Sequence, residues 1–288
     1  MAKDTFFCPK KTLNFRGKIK NLSVPLVMGV MNLTPDSFYD GGRYRNPMDA
    51  IRRAEQILSE GGDIIDMGAA STRPGAGMVD PAEEQQRLMP ALKAVRKQFP
   101  GAIISIDTYH ASTARMALDQ GAHMINDISS GRFDASMFTT IAEYRVPYVI
   151  MHMLGTPENM QLNPGYKNLI KDIAGFFSEK VMLLKQMGIS DLIIDPGFGF
   201  GKTIEDNYRL MAGLGYFSIF GLPVMVGISR KSMINKLLKT NPEDALNGST
   251  VLNTIALEKG AQILRVHDVK EAVEAIKIIS YLKSNTEK

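Results

Sequence analysis

The sequence predicts a single (β/α)8 barrel with an N-terminal β-hairpin, and three observations carry that prediction. Eight short apolar runs recur along the 288 residues, at 26–32, 63–68, 102–108, 124–128, 148–152, 192–197, 223–229 and 263–268. Segments with helical spacing separate them, and strand–helix alternation is the pattern of a parallel sheet covered by helices. Almost every run also closes on a side chain that can hydrogen-bond or carry charge: Asn32, Asp107, Asn126, His152, Asp195, Ser229, Arg265 and His267. In such barrels the C-terminal ends of the strands converge on the active site, so one pattern supplies both the fold and the candidate residues.

The elements follow in order. Residues 5–24 precede the first barrel strand, and Arg16-Gly17 between two short alternating segments predicts a hairpin that plugs the barrel's bottom. Residues 47–60 begin with Pro47 and are followed by Gly61-Gly62, the punctuation of a helix. Residues 81–99 open on Pro-Ala-Glu-Glu and place Leu88, Leu92, Val95 and Phe99 at helical spacing. Helices over 111–120, 135–145, 167–187, 204–214, 230–238, 243–259 and 269–283 complete the set, two of them after the seventh strand. The whole chain, 1–288, reads as one domain, with the hairpin in 1–25 and the barrel in 26–284. Two glycine-rich loops, 33–46 and 69–80, lie on the face where barrel loops carry function.

Composition narrows the function classes. A hydrophobic content of 44% supports a large core and argues against disorder. The net charge of +4 suits an anionic small molecule but gives no basic block for a nucleic acid. The single cysteine, Cys8, excludes an internal disulfide and fits a cytoplasmic location. The first residues lack the apolar core of a signal peptide. The uncharged stretch 210–229 is interrupted by Gly213, Gly215, Gly221 and Pro223, so it reads as a helix end, a loop and a strand, not a membrane span.

The chemistry-bearing residues sit at the strand ends and just beyond. The Asn32 carboxamide is a hard oxygen donor for a cation such as Mg²⁺, and Asp36 and Asp40 in the loop that follows could close over a charged substrate. Ser71, Thr72 and Arg73 offer hydroxyls and a guanidinium to an oxyanion. Asp107, Asn126 and Asp195 could read the donor–acceptor edge of a heterocycle, since paired N–H groups match a carboxylate. DPGFGFGKT (195–203) is not a phosphate loop, because Gly197 stands one residue too close to Gly201-Lys202. Its glycines instead let Phe198 or Phe200 approach a ligand, with Lys202 near the rim. In GISRKS (227–232), Ser229 is expected to cap a helix whose first turn holds Arg230, Lys231 and Ser232, an anion site. Arg265 and His267, two apart, share one side of the last strand. His110, His123 and His152 lack metal-ligand spacing, and no nucleophile triad is evident.

GVMNLTPDSFYDGG, STRPGA, SIDT, INDISSG, MHMLGTP, DPGFGFGK, SRKS and RVHD, in this order over roughly residues 26–268, closely resemble the dihydropteroate synthase family of pterin-binding enzymes. The resemblance implies a homodimeric barrel. It implies that 6-hydroxymethyl-7,8-dihydropterin pyrophosphate and p-aminobenzoate condense to 7,8-dihydropteroate with release of pyrophosphate, and that sulfonamides inhibit. It places Asp107, Asn126, Asp195 and Lys231 in a pterin pocket, Gly227 and Met151 among the substrate-binding residues, and Asn32 against Mg²⁺ and diphosphate. Arg265, His267 and Thr72 fall at the leaving-group site. Phe38, Arg73, Pro74, Phe200, Lys231 and Ser232 fall at the p-aminobenzoate site, with Asp36 and Asp40 on the loop above it. Asp107, Lys231, Arg265, His267 and Asp40 are the expected catalytic residues. Ala69-Ala70-Ser71 and Tyr39 depart from the common family pattern beside these motifs. A corrinoid methyltransferase acting on methyltetrahydrofolate, or a non-catalytic pterin-binding paralog, would share the pterin pocket. An aldolase-like barrel would need a lysine inside a strand, and the eight runs hold none.

Overall fold

A computed structural model describes residues 10–34, 47–70, 75, 77–161 and 164–286. Strands β1 (Thr12–Phe15) and β2 (Lys18–Asn21) pair antiparallel. Arg16 and Gly17 between them both have positive φ, 54° and 94°, as in the two-residue turn whose twist matches its flanking strands. Alternation exposes Thr12 and Asn14 and buries Leu13 and Phe15.

Eight parallel strands form the barrel: β3 (Leu26–Asn32), β4 (Ile64–Gly68), β5 (Ile103–Asp107), β6 (Met124–Asp127), β7 (Tyr148–Met151), β8 (Leu192–Asp195), β9 (Met225–Val226) and β10 (Ile263–Val266). Their order is β8-β7-β6-β5-β4-β3-β10-β9. A bridge between Ile194 and Val224, with the Ile194 N–H donating to the Pro223 carbonyl at 2.9 Å, closes the ring. Strand β9 is shorter than its apolar run suggests. Pro223 at its start has no N–H to donate, and from Ile228 the chain enters a turn closed by the Lys231 N–H.

Side-chain alternation divides each strand between two cores. Outward residues such as Val27, Ile65, Ile104, Ile125, Ile150 and Ile194 pack under the helices. Inward residues at the lower end, Met28, Ile64, Ile103, Met124, Val149, Ile193, Met225 and Ile263, form a separate cluster with Leu13 and Phe15 of the hairpin. Every strand contributes to it, so the hairpin is the bottom plug that the sequence predicts. Counting up in twos from this ring reaches Asp66, Ser105, Asn126, Met151, Asp195, Gly227 and Arg265, then Asn32, Gly68, Asp107 and His267. Register alone thus gathers the polar residues above the plug.

The helices are α1 (Pro47–Ser59), α2 (Pro81–Gln98), α3 (Ala111–Asp119), α4 (Met137–Tyr144), α5 (Leu169–Gln186), α6 (Ile204–Ala212), α7 (Ser232–Leu238), α8 (Leu246–Glu258) and α9 (Val269–Thr286). Both α7 and α8 follow β9, as expected. Asp80 caps α2 through the Ala82 N–H, and Thr203 with Asp206 forms a capping box on α6. Among the described residues no helix is long and apolar enough to cross a membrane.

Candidate active site

The centre of the barrel mouth is a charged hub. The Arg265 Nε donates to Asp66 Oδ2 at 2.7 Å, and a terminal guanidinium nitrogen donates to Asp107 Oδ2 at 2.6 Å. Asn126 Nδ2 donates to the same Asp66 oxygen at 3.1 Å. Gly227 faces Arg265, where an added Cβ would stand 3.7 Å from the arginine Cβ. Burial opposes the Arg265 charge, but Asp66 and Asp107 more than offset it, so its pKa lies above the ordinary arginine value. Burial raises Asp107 to about 7; Arg265 opposes the shift, and Asp66 adds to it. Asp195 is likewise raised by burial against the pull of Lys231. Asp66, Asp107 and Asp195 thus lie among three cations, Arg265, Lys231 and the buried Lys202, and the carboxylate oxygens of Asp107 and Asp195 are acceptors suited to a ligand that presents N–H donors.

Lys231 and the loop after β8 form the adjoining wall. The Lys231 ammonium donates to the Phe198 carbonyl and lies 4.5 Å from the Phe200 ring centroid. Burial lowers Lys231 to about 8, with Asp195 holding it up. Two glycines permit this arrangement. A Cβ on Gly197 (φ 74°) would fall 1.9 Å from the His152 carbonyl oxygen, and one on Gly199 (φ 81°) 3.2 Å from Lys231 Cδ. Side chains engage every carbonyl from 197 to 202. Lys202 takes those of Gly197 and Phe200, Lys231 that of Phe198, Gln161 that of Gly199, Tyr166 that of Gly201 and Asn207 that of Lys202. The Gly197 and Gly199 N–H groups donate to Asp195 and Asn207. These N–H groups are committed within the protein, which agrees with the sequence argument against a phosphate loop.

Three expectations need correction. Lys202 is not at the rim: it is only 2% exposed, and its ammonium also sits 3.1 Å from His152 Nδ1. The loop carbonyls draw it inward, and burial lowers it to about 7. Phe198 is fully buried in the outer core, which leaves Phe200 as the aromatic beside the mouth. Ser229 does not cap a helix, because α7 starts at Ser232 and Lys231 is its N-cap. Arg230 adopts φ 58° and pairs with Asp268 at 2.9 and 2.5 Å. Neither cation therefore opposes a helix dipole, and the seven-residue α7 offers little dipole to an anion.

Ser229 instead accepts from the His267 N–H at 3.2 Å and lies 3.1 Å from its Nδ1. Burial lowers His267 to about 3, with Arg265 acting in the same direction, so the imidazole is neutral near pH 7. Arg53 on α1 donates to the carbonyls of His267 and Val30. Asn32 is half-buried at the end of β3, and its side chain has no hydrogen-bond partner among the described residues. Met151 is buried with Tyr109, Ile128 and Met153, next to Phe200 and Phe133, an apolar wall suited to a flat ring. Ser232 is exposed at the mouth of α7.

Asp107, Asn126, Asp195, Lys231, Arg265, His267, Gly227, Met151 and Phe200 are thus gathered at one end of the barrel. Asp36, Phe38, Asp40, Thr72, Arg73 and Pro74, like Tyr39 and Ser71, lie outside the described residues. Sequence reasoning missed Asp66, which stands inside an apolar run. The available signal was its spacing, two residues beyond Ile64 and so on the same inward face. His123 and His110 are structural: one accepts the Ile104 N–H, the other meets the Val79 carbonyl.

The comparisons with known proteins point the same way. Residues 28–267 match the family model for pterin binding enzymes. The chain is 43% identical to the dihydropteroate synthase of Escherichia coli (strain K12) over 266 residues, covering 92% of this chain and 94% of that protein. The structure of Yersinia pestis dihydropteroate synthase in a sulfonamide drug complex superposes with a TM-score of 0.91 at 43% identity, covering 95% of this chain and 99% of that one. The Xanthomonas albilineans dihydropteroate synthase with 4-aminobenzoic acid gives a TM-score of 0.88 at 36% identity, covering 95% and 98%.

Proposed function

The chain belongs to the pterin-binding enzyme family and, within it, to the dihydropteroate synthases, and from that premise we propose that its barrel mouth condenses 6-hydroxymethyl-7,8-dihydropterin pyrophosphate with p-aminobenzoate to give 7,8-dihydropteroate and pyrophosphate. One observation carries the reading of the site: Asp107, Asn126 and Asp195, all on inward positions, stand together at the mouth, with Asp107 paired to Arg265 and Asp195 in the field of Lys231. The donor edge of a 2-amino-4-oxo pterin supplies the N–H groups they require. The buried cluster around Met151 offers the ring an apolar wall, with Phe200 beside it on the side of the arylamine.

The substrate's methylene then faces the arylamine site. Its C–O bond to diphosphate breaks, and the electron pair leaves with the oxygen. The cation left at the methylene is stabilised by the electron-rich ring and by the nearby Asp107 carboxylate. The arylamine nitrogen donates its lone pair to form the C–N bond and then loses a proton to water. An aniline needs positioning more than activation, which accounts for the lack of a nucleophile triad in the sequence. Arg265 brings the permanent cation to the leaving-group side, and neutral His267 brings hydrogen bonding. A rate of the chemical step that is insensitive to arylamine nucleophilicity supports this order; strong sensitivity contradicts it.

Mg²⁺ fits the Asn32 end of this site. The donor is a hard carboxamide oxygen, half-buried and without a hydrogen-bond partner among the described residues, and Mg²⁺ typically takes few protein ligands and completes its shell with water and phosphate oxygens. No group of three His, Cys, Asp or Glu able to form an all-protein cage occurs among the described residues. Bound there, the ion supplies charge neutralisation to the diphosphate.

The homodimer rests on an apolar face. Leu237 and Leu238 of α7, Val251 and Ile255 of α8, and Ile278, Tyr281 and Leu282 of α9 are all exposed. Gly248 of α8 packs on Ile234 and Leu238, and α8 lies along α9, so the three helices adjoin. Such a patch suits a second copy of the chain. A cytoplasmic location fits the single cysteine.

The test is one incubation with the dihydropterin pyrophosphate, p-aminobenzoate and Mg²⁺. Dihydropteroate by mass and free pyrophosphate, both lost on chelation, are expected. Tight pterin binding without product indicates the non-catalytic paralog, and binding of methyltetrahydrofolate alone indicates the methyltransferase.

A further inference from the structure

Asp66 has no part in the chemistry described above, although it is fully buried and ionisable. It lies on β4 two residues above Ile64 of the plug ring and one inward step below Gly68, so it sits beneath the mouth. Its Oδ2 accepts from both Asn126 Nδ2 and Arg265 Nε. We propose that Asp66 is a positioning residue that fixes the pterin site as an array of acceptors, by turning the Asn126 carbonyl oxygen toward the mouth and anchoring Arg265 from below. The proposal rests on the pterin-site reading and deepens it.

An amide has a donor end and an acceptor end, whereas an ionised carboxylate only accepts. Against Asp66, Asn126 must therefore present its nitrogen. The reverse orientation would press two acceptor oxygens together in a buried place, where unpaired polar groups are costly. The orientation of Asn126 is thus dictated by a neighbour that does not reach the ligand. With Asn126 held this way, Oδ1 joins the carboxylates of Asp107 and Asp195, and the wall discriminates between donor and acceptor edges of a heterocycle.

The same oxygen serves Arg265. With its Nε on Asp66, the guanidinium keeps a charged partner when Asp107 turns to a ligand. Holding the arginine and reading the pterin fall to different carboxylates. The second oxygen, Oδ1, has no hydrogen-bond partner among the described residues, nor has the hydroxyl of Ser105 on the paired position of β5. An apolar residue there would carry no such burden, so the carboxylate's use lies in what Oδ2 holds.

The experiment compares binding of 6-hydroxymethylpterin and its 2-oxo analogue to the full-length protein and to Asp66→Asn. An asparagine at this position keeps its oxygen on Arg265 Nε, and its N–H₂, which at the Oδ1 position would be buried without an acceptor, can turn to Asn126, which then flips. The preference for the 2-amino ligand is expected to fall about tenfold, the loss of one hydrogen bond to a charged or oriented group, with KM for p-aminobenzoate changed less than about twofold. In an Asn126→Ala background, Asp66→Asn should no longer alter the preference. Unchanged selectivity overturns the proposal, as does an equal loss for both ligands. In the wild type, side-chain ¹⁵N spectra should show the Asn126 N–H₂ protected with or without pterin; contacts from those protons to the bound ring overturn the proposal even if Asp66→Asn does not fold. Failure of the wild type to bind 6-hydroxymethylpterin at all would instead remove the pterin-site reading beneath it.

Discussion

The two ends of the barrel are made from the same eight strands and the same alternation, yet they hold opposite kinds of residue. At the bottom, the inward side chains are apolar and close on Leu13 and Phe15. At the mouth, one or two inward steps higher, they are Asp66, Asp107, Asn126, Asp195 and Arg265. The bottom lowers the free energy of the fold by taking hydrocarbon out of water. The mouth buries charges whose pKa values shift because burial disfavours them. The difference teaches that stability and chemistry are separated along the strand axis, so substitutions at each end should have separable effects.

The largest effect is expected from Arg265→Ala, which leaves Asp66 and Asp107 facing each other without their cation. Breaking a buried pair of this kind costs about 3–5 kcal/mol, so a lower Tm should accompany weakened diphosphate binding. A variant with unchanged Tm would show that the hub is not balanced as described. Phe15→Ala should cost a similar amount, about 3–5 kcal/mol, but with kcat near wild type below its Tm. A fall in kcat matching that of a mouth variant would break the separation between the two ends.

A smaller effect concerns pH. Asp107 lies at about 7 in the fold against an ordinary 3.8. Between those values the folded protein holds a proton that the unfolded chain does not. The ligand-free fold therefore draws stability from this residue below about pH 4 and loses it as pH rises through about 7. Pterin binding follows the opposite sign, because protonation turns one of the two acceptor oxygens into a donor and removes the charge that strengthens the bonds: affinity should strengthen as pH rises through 7. Asp107→Asn should flatten that limb in a calorimetric titration. The smallest effect on turnover is expected from Leu238→Glu, which leaves the mouth intact. Sedimentation should show dissociation of the dimer, and an unchanged mass would place the interface elsewhere.

Much of this was legible in the sequence because parallel strands alternate with period two and end polar. Asp107, Asn126, Asp195 and Arg265 were found by that rule, and the hairpin by Arg16-Gly17. Asp66 escaped because it interrupts an apolar run instead of ending one. Lys202 misled because a charge after a glycine-rich loop looks solvent-facing, whereas carbonyls from three residues draw it inside. The start of α7 slipped by two residues because Arg230 turns left-handed, which no local pattern announces.

The central claim is that the charged mouth makes dihydropteroate. Lys231 touches the Phe198 carbonyl and the Phe200 ring, and holds no part of the bottom plug. The measurement is the rate of dihydropteroate formation by the wild type and by Lys231→Ala, with folding checked by circular dichroism. Product from the wild type, and a loss of about a hundredfold or more in a folded variant, is the predicted result. No product from the wild type, or an undiminished rate in Lys231→Ala, would contradict it.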